Sequence, residues 1–441
     1  MDILIKATQF LMSLSILIVL HELGHFIPAK IFKTRVEKFY LFFDYRFSIF
    51  KKKIGETVYG IGWIPLGGYV KISGMIDESM DTEQMKLPPQ PWEFRSKPAW
   101  QRLIIMLGGV TVNFILGILI YIMIFFVWGS DFSTSKDVKN GFSVDNEFKS
   151  LGFKDGDNIL KINNEVPEDV LDINKFLFLR PVQSIEVQHL DNTTEIIKIP
   201  ETIGKTMWEK GVLKPFNPRF TAVIDTVLAD SPAQFAGLMK NDSVVSVNGN
   251  PIAFWNEFTD AVKSNPTAQP LEISVHRNGE LISVLVKPSD DNTIGVNSLA
   301  SIADVVSFQH KEFSFAQSIT EGSKMTYWTL HDFISQFKYV FTKKGATSIG
   351  GFIAIGSIFP STWSWAAFWS ITAFLSIMLG FMNLLPIPAL DGGHVVFTLF
   401  EMITGKKPSD KFLEYAQVAG FLLLISLLIL ANGNDVVKLF S

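Results

Sequence analysis

Two histidines and a glutamate, in the run His21-Glu22-Leu23-Gly24-His25, carry the most specific chemistry in this chain. They follow the apolar stretch Ala7 to Leu20 and precede Phe26 and Ile27. On a helix, residues four apart share a face, so both imidazoles can reach one Zn²⁺, with Glu22 beside them to take a proton from water. Ionisable groups inside a membrane-grade segment are expensive to bury and mark function by default. Because H-E-x-x-H also arises by chance, the reading needs a second, independent feature.

A catalytic zinc usually takes three protein ligands and keeps a fourth position open for water. Cysteine is absent from the 441 residues, which excludes disulfides and thiolate ligands and leaves His, Asp and Glu. The candidate third ligand lies far away, in Asn383-Leu384-Leu385-Pro386-Ile387-Pro388-Ala389-Leu390-Asp391-Gly392-Gly393-His394. Two prolines in three residues lack the N–H groups a helix needs and stop it there. Backbone unwound at membrane depth is tolerated only where it faces protein or a wet cavity. Asp391 follows that break, and Gly392-Gly393 let the backbone approach closely. A carboxylate on such an element is what a His₂Asp zinc site needs. His394, one turn further on, is a rival ligand, and an ordinary exposed helix-capping role for Asp391 is the plain alternative.

The elements that must hold these residues are legible in the charge pattern. The chain is 48% hydrophobic and only 19% charged, against a usual quarter, because long uncharged runs alternate with ordinary polar sequence. This predicts a membrane protein carrying a soluble portion. A net charge of -4 and the lack of a basic cluster with interleaved aromatics exclude nucleic acid as a partner. Four spans are expected: about Ala7 to Ile31, Leu103 to Trp128, Ser364 to Leu385 after a shallow or loop-like segment ending at Pro360, and Tyr415 to Asn432. No small-residue cleavage site follows the first, which is therefore read as a span and not a signal peptide. Thirteen Lys and Arg lie between Lys30 and Arg102, and Lys406, Lys407 and Lys411 between spans three and four. The positive-inside rule puts both loops in the cytoplasm, both termini and residues 130–345 on the far side, and His21 and His25 near the cytoplasmic end of span one.

Between spans two and three the sequence repeats at an offset of 85 residues. Gly152-Phe153-Lys154-Asp155-Gly156-Asp157-Asn158-Ile159 aligns with Gly237-Leu238-Met239-Lys240-Asn241-Asp242-Ser243-Val244, each followed by a short alternating strand and a turn (Asn163-Asn164, Asn248-Gly249) suited to positive φ. The copies resemble tandem PDZ domains and their G-L-x-x-G-D-x-I-x-x-I-N-G signature, except for Asn241 and Asn164 at two glycine positions. That resemblance implies peptide recognition by strand addition at a sheet edge; modules that merely shield the membrane face are the alternative. Downstream, apolar residues from Phe313 to Val340 at mixed helical spacing predict an amphipathic helix, lying on the membrane surface or packed on the second module.

HExxH in the first span together with N-x-x-P-x-P-x-L-D-G-G at the third resembles the site-2 family of intramembrane zinc metalloproteases. The tandem modules point to the bacterial type that cleaves anti-sigma factors in regulated intramembrane proteolysis. The resemblance covers essentially the whole chain. It implies one catalytic Zn²⁺ held by His21, His25 and Asp391, Glu22 as general base, and Asn383 assisting substrate placement. Ile64-Pro65-Leu66-Gly67-Gly68-Tyr69-Val70-Lys71 resembles the family's membrane-re-entrant β-loop, implying strand pairing with an unwound substrate near Gly67 and Gly68. Gly108-Gly109-Val110-Thr111-Val112-Asn113-Phe114 resembles its second-span G-P-x-x-N-F pattern, with Val110 in place of proline and Asn113 as a substrate contact.

The expected fold is a polytopic α-helical membrane protein with four transmembrane helices, a membrane-associated β-loop and two inserted PDZ-like α+β domains. Residues 1–34 are the first transmembrane helix, 35–100 a cytoplasmic-side loop with the re-entrant segment, and 101–129 the second helix. The modules occupy 130–210 and 211–295, and 296–345 is an amphipathic helical linker. Residues 346–414 hold the third transmembrane helix and a cytoplasmic loop, and 415–441 the fourth helix and tail. The expected activity is zinc-dependent hydrolysis of a peptide bond in the transmembrane segment of a single-span, anti-sigma-factor-like protein or a signal-peptide remnant. Its expected location is the bacterial cytoplasmic (inner) membrane, with the lipid bilayer as its other partner and the modules extracytoplasmic. Two competing readings are a non-catalytic membrane scaffold that binds extracytoplasmic peptides and a divalent-metal carrier; a carrier would want internally related spans, which the sequence lacks.

Overall fold

A computed structural model describes residues 2–75, 87–266, 269–298 and 301–440. The chain divides into a helical unit, Met1–Gly129 with Glu312–Ser441, and a β-rich unit, Ser130–Lys311. The helical unit is built from α1 (Asp2–Ile31), α2 (Ala99–Trp128), α3 (Phe315–Val340), α4 (Trp365–Leu384), α5 (Asp391–Thr404) and α6 (Asp410–Phe440). Among the described residues, α1, α2, α4 and α6 are long and apolar enough to cross a membrane. All four expected spans fall on these helices. The last is longer than its uncharged core because the polar residues at its end are used. Asp435 Oδ2 accepts the backbone N–H groups of Gly351, Ile353 and Ala354, each at 3.0 Å, at the start of a short helix (Phe352–Ser357).

Small residues set how the helices meet. A β-carbon on Gly24 would stand 2.4 Å from Gly108 O, and one on Gly108 only 1.9 Å from Gly24 O, so α1 and α2 touch backbone to backbone. Pro28 has no N–H to bond the Gly24 carbonyl four residues earlier, and Gly108 occupies the space beside that carbonyl. The helix α3 follows the same logic, against the expectation of a surface-lying linker. Its buried side carries Ser318, Gly322 and Thr326, four residues apart, while Phe315, Ile319 and Met325 are exposed. A β-carbon on Gly322 would meet Ile122 N at 2.6 Å, and Thr329 reaches Tyr121, so α3 lies along α2 with small residues inward. Lipid is as apolar as leucine, so close backbone approach, not hydrophobicity, selects the packed face.

The loop between α1 and α2 folds as two long antiparallel strands, β1 (Val36–Ile54) and β2 (Thr57–Ile72), each bent back on itself. Tyr40 pairs with both Tyr69 and Gly60, and Leu41 with both Gly68 and Ile61, whereas Lys51 and Lys53 pair only with Gly60 and Val58. The ribbon is thus a four-run sheet with the second half of β2 along one edge. Phe42 and Arg46 take φ of 67° at the bend.

In the β-rich unit the two copies of the repeat form two hydrophobic cores. The first has an antiparallel sheet of Asn158–Ile162, Ser184–Gln188 and Thr194–Lys198. The second has Asn250–Pro251, Ser243–Val247, Leu271–Arg277 and Glu280–Val286 in that order. Both predicted turns adopt positive φ, at Asn163, Asn164, Asn248 and Gly249. The expected boundaries need correction at the C-terminal side. Val305 and Val306 are buried in the first core, and Gln309–Lys311 pairs with Ser130–Phe132. Residues 296–298 and 301–311 therefore complete the modules instead of belonging to a linker, because those valines have an apolar site to fill.

Both copies bury one aspartate, Asp157 or Asp242, and partner it with a basic side chain from the equivalent place beside the neighbouring strand. In the second copy the basic group is Arg277, bonded to both Asp242 oxygens at 2.7 and 2.6 Å. In the first it is His189, whose Nδ1 lies 2.6 Å from Asp157 and Nε2 3.1 Å from Glu195. The bond to Asp157, aided by Glu195, raises the histidine's pKa above its ordinary value despite burial. A raised folded-state pKa stabilises fully below the unfolded value of about 6.5 and is lost as pH rises through the folded value. Amide exchange in Asn158–Ile162 and Ser184–Gln188, corrected for intrinsic rate, should lose protection in wild type as pH rises above about 6.5. The corresponding strands of the second copy should not, and His189→Gln should abolish the difference.

Candidate metal centre

His21 and His25 lie on the buried face of α1, 8% and 5% exposed. Asp391, the first residue of α5, reaches them from the other end of the chain. Its Oδ2 is 3.3 Å from His21 Nε2 and 3.3 Å from His25 Nε2, and the two Nε2 atoms are 3.3 Å apart. Three corners of a tetrahedron have about this separation when each stands roughly 2.0 Å from the centre, the usual reach of Zn²⁺ to such ligands. Asp391 Oδ2 is buried without a hydrogen-bond donor. An unpaired carboxylate held away from water costs several kcal/mol, which a cation among the three atoms removes. The donor set fits zinc. Among the described residues, His21, His25 and Asp391 form the one group of three or more such donors close enough to share an ion. His394 is outside that group, on the wall of the adjoining cavity.

The loop before α5 explains why Asp391 arrives there. Helix α4 ends at Leu384, and Pro386 and Pro388 keep the next residues out of it. Ala389 takes φ of 79°, and its N–H donates to the buried Gln417 of α6 at 3.1 Å. A β-carbon on Gly392 would stand 2.2 Å from Leu385 O, so α5 can begin only if its second residue lacks one. Asp391 is thus turned inward at the start of a helix, not exposed as a cap.

Helix α2 backs the two imidazoles. His25 Nδ1 lies 2.8 Å from Ile105 O, and His21 Nδ1 lies 3.0 Å from Asn113 Nδ2. Between them, a β-carbon on Gly109 would stand 2.4 Å from His25 Nε2 and 2.6 Å from His21 Cε1. On the open side is a cavity of about 400 Å³ lined by Glu22, Gly68, Tyr69, Val70 and Asn383, among others. Glu22 is half-buried, with the Val70 backbone N–H facing its carboxylate. Asn383 Nδ2 is 3.3 Å from His21 Nε2. Gly68 lines the cavity, whereas Gly67 lies one residue outside its wall. Lys38, Asp44 and Tyr69 form a hydrogen-bonded group on the same wall, with Tyr69 donating to Asp44 at 2.7 Å and Lys38 to both. The candidate ligands and Glu22 are named by the sequence, whereas Ile105 and Gln417 are not. A main-chain carbonyl leaves no residue-type signal, and a glutamine in an apolar helix is a weak one.

A histidine pair, a carboxylate and a neighbouring glutamate, all set among apolar helices, define a membrane-embedded metallopeptidase. The model of peptidase family M50 matches residues 9–427, and the chain belongs to that family. It is 28% identical to the regulator of sigma E protease of Haemophilus influenzae, with all of both chains covered. It is 26% identical to the regulator of sigma-E protease RseP of Escherichia coli, over 98% of each chain. A Vibrio cholerae protein named as a zinc metalloprotease is 27% identical over 99% of this chain and all of its own.

Proposed function

We propose that this peptidase binds one Zn²⁺ through His21, His25 and Asp391 and hydrolyses a peptide bond within the transmembrane segment of a single-span protein. The observation that carries the reading is the 3.3 Å triangle of donor atoms with its unpaired Asp391 oxygen. Bound zinc would supply a Lewis acid that polarises the scissile carbonyl and makes water nucleophilic near neutral pH. Glu22 accepts the proton of the attacking water and passes it to the leaving amine. Asn383, with its amide N–H beside the ligand triangle, helps to hold the scissile carbonyl. A helical substrate hides its carbonyls in i→i−4 bonds and must unwind to be cut. The edge of β2 around Gly68 offers backbone groups with which the unwound segment can pair.

The relatives named for regulation of sigma E favour an anti-sigma-factor-like substrate in a bacterial inner membrane. The repeat favours PDZ-like modules that take up extracytoplasmic peptide, and the charge pattern favours a site near the cytoplasmic face. Cleavage of a single-span reporter by purified protein in vesicles, before and after zinc removal, tests the reading. Activity should vanish on stripping and return with one zinc per chain. Asp391→Ala should lower zinc affinity by at least about 100-fold, more than loss of an outer partner would. A stripped protein that still cuts would overturn the zinc mechanism, an unaltered affinity in the variant would remove Asp391 from the ligand set, and a zinc-loaded protein that never cuts would leave the scaffold.

A further inference from the structure

We propose that α2 fixes the tautomer and ring plane of both metal-binding histidines, with Asn113 accepting a hydrogen bond from His21 Nδ1–H; this rests on the zinc reading above. Ile105, Gly109 and Asn113 are four residues apart and form one stripe along α2. Across from it stand His25 and His21, four apart on α1, in the opposite order. The stripe offers an acceptor, a gap and an amide to two rings that would otherwise rotate.

For His25 the chemistry is settled by its partner. A carbonyl only accepts, so the Nδ1 that lies 2.8 Å from Ile105 O carries the proton, and the Nε2 lone pair faces Asp391. His21 presents Nε2 to the same triangle and must therefore also carry its proton on Nδ1. As placed, however, Asn113 turns its own donor, Nδ2, to that nitrogen at 3.0 Å, while its Oδ1 is buried with no partner. Two donors would then face each other beside an orphaned acceptor. Oxygen and nitrogen of an amide are nearly the same size, and which is which is an assignment made from the surrounding bonds. A half-turn of the amide puts Oδ1 on His21 Nδ1–H without moving any other atom.

Asn113 itself cannot swing away. It is 0% exposed, its backbone carbonyl accepts from Ser376 Oγ at 2.7 Å, and its Cβ lies where Gly380 leaves room. A substrate cannot touch it, so the substrate contact implied by resemblance becomes a positioning role. Outer partners that orient a ligating histidine are typically worth 10–100-fold in metal affinity.

The test is zinc affinity of the full-length protein in detergent, measured by competition with a chromophoric chelator and independent of turnover. Wild type should bind one zinc; a wild type that binds none overturns the zinc reading itself. Given that binding, Asn113→Leu, of similar size but with no acceptor, should weaken zinc by roughly 10–100-fold. Asn113→Asp, which keeps the acceptor, should stay within a few-fold of wild type. Equal affinity in all three proteins, or equal losses in both variants, overturns the role of Asn113 and leaves the zinc site standing. Should the leucine variant not fold, imidazole ¹⁵N spectra of zinc-loaded wild type decide: a protonated Nδ1 on both rings supports the assignment, and an unprotonated His21 Nδ1 overturns it.

Discussion

Glu22→Gln should cut peptide hydrolysis by roughly a thousandfold while zinc content stays at one per chain. The substitution is isosteric and Glu22 supplies none of the three donor atoms proposed to hold zinc, so that triangle is untouched. Glu22 is half-buried, and an amide in its place can still accept from the Val70 N–H, so the fold should lose no more than about 1 kcal/mol. What disappears is the carboxylate of the cavity wall that stands beside the histidines and is proposed as the base. An amide has no basic lone pair to take the proton of the attacking water, and none to return to the leaving nitrogen. Reporter cleavage and metal analysis on the same preparation check both halves. Near-wild-type turnover with full zinc would assign the base elsewhere. Loss of zinc together with activity would make Glu22 a ligand instead.

A second large effect is expected far from any charged group. Gly109→Ala adds one methyl, yet that carbon would stand 2.4 Å from His25 Nε2 and 2.6 Å from His21 Cε1. These distances are about an ångström short of ordinary contact, and the obstacle is a pair of ring atoms, not a flexible tip. Either the rings turn off the ligand triangle or α1 parts from α2, where Gly24 and Gly108 already meet backbone to backbone. A shift of about 1 Å in a catalytic constellation costs on the order of 100-fold, so zinc affinity and cleavage should each fall at least that far. Chelator competition and reporter cleavage measure the two. An alanine variant that holds zinc as tightly as wild type would mean the crossing is looser than its geometry.

How much of this was legible beforehand depends on what kind of signal each part leaves. His21, Glu22 and His25 declared themselves because a polar triplet interrupts an apolar run at helical spacing. The break at Pro386 and Pro388 declared itself because proline cannot continue a helix, and Asp391 followed from it. Convergence of these two segments was inferable from ligand chemistry, but the distances between them are set by the tertiary fold. The inward face of α3 was not legible, since hydropathy marks Phe315, Ile319 and Met325 as core and the packed stripe is Ser318, Gly322 and Thr326. Nor was the return of Val305 and Val306 to the first module, because two valines after a second domain look like the start of a linker.

The sequence by itself determined the reactive residue types, the four apolar helices, the unwound loop and the doubled module. Each of these rests on local rules of helix period, proline geometry, turn conformation and transfer out of water. Tertiary structure alone decided that the imidazoles are backed by Ile105, Gly109 and Asn113, and that the second half of β2 is the edge facing the cavity. Those choices depend on which backbone comes within a few ångströms of which ring. Inside a membrane that is settled by fit between surfaces of equal hydrophobicity, for which one-dimensional polarity patterns carry no information.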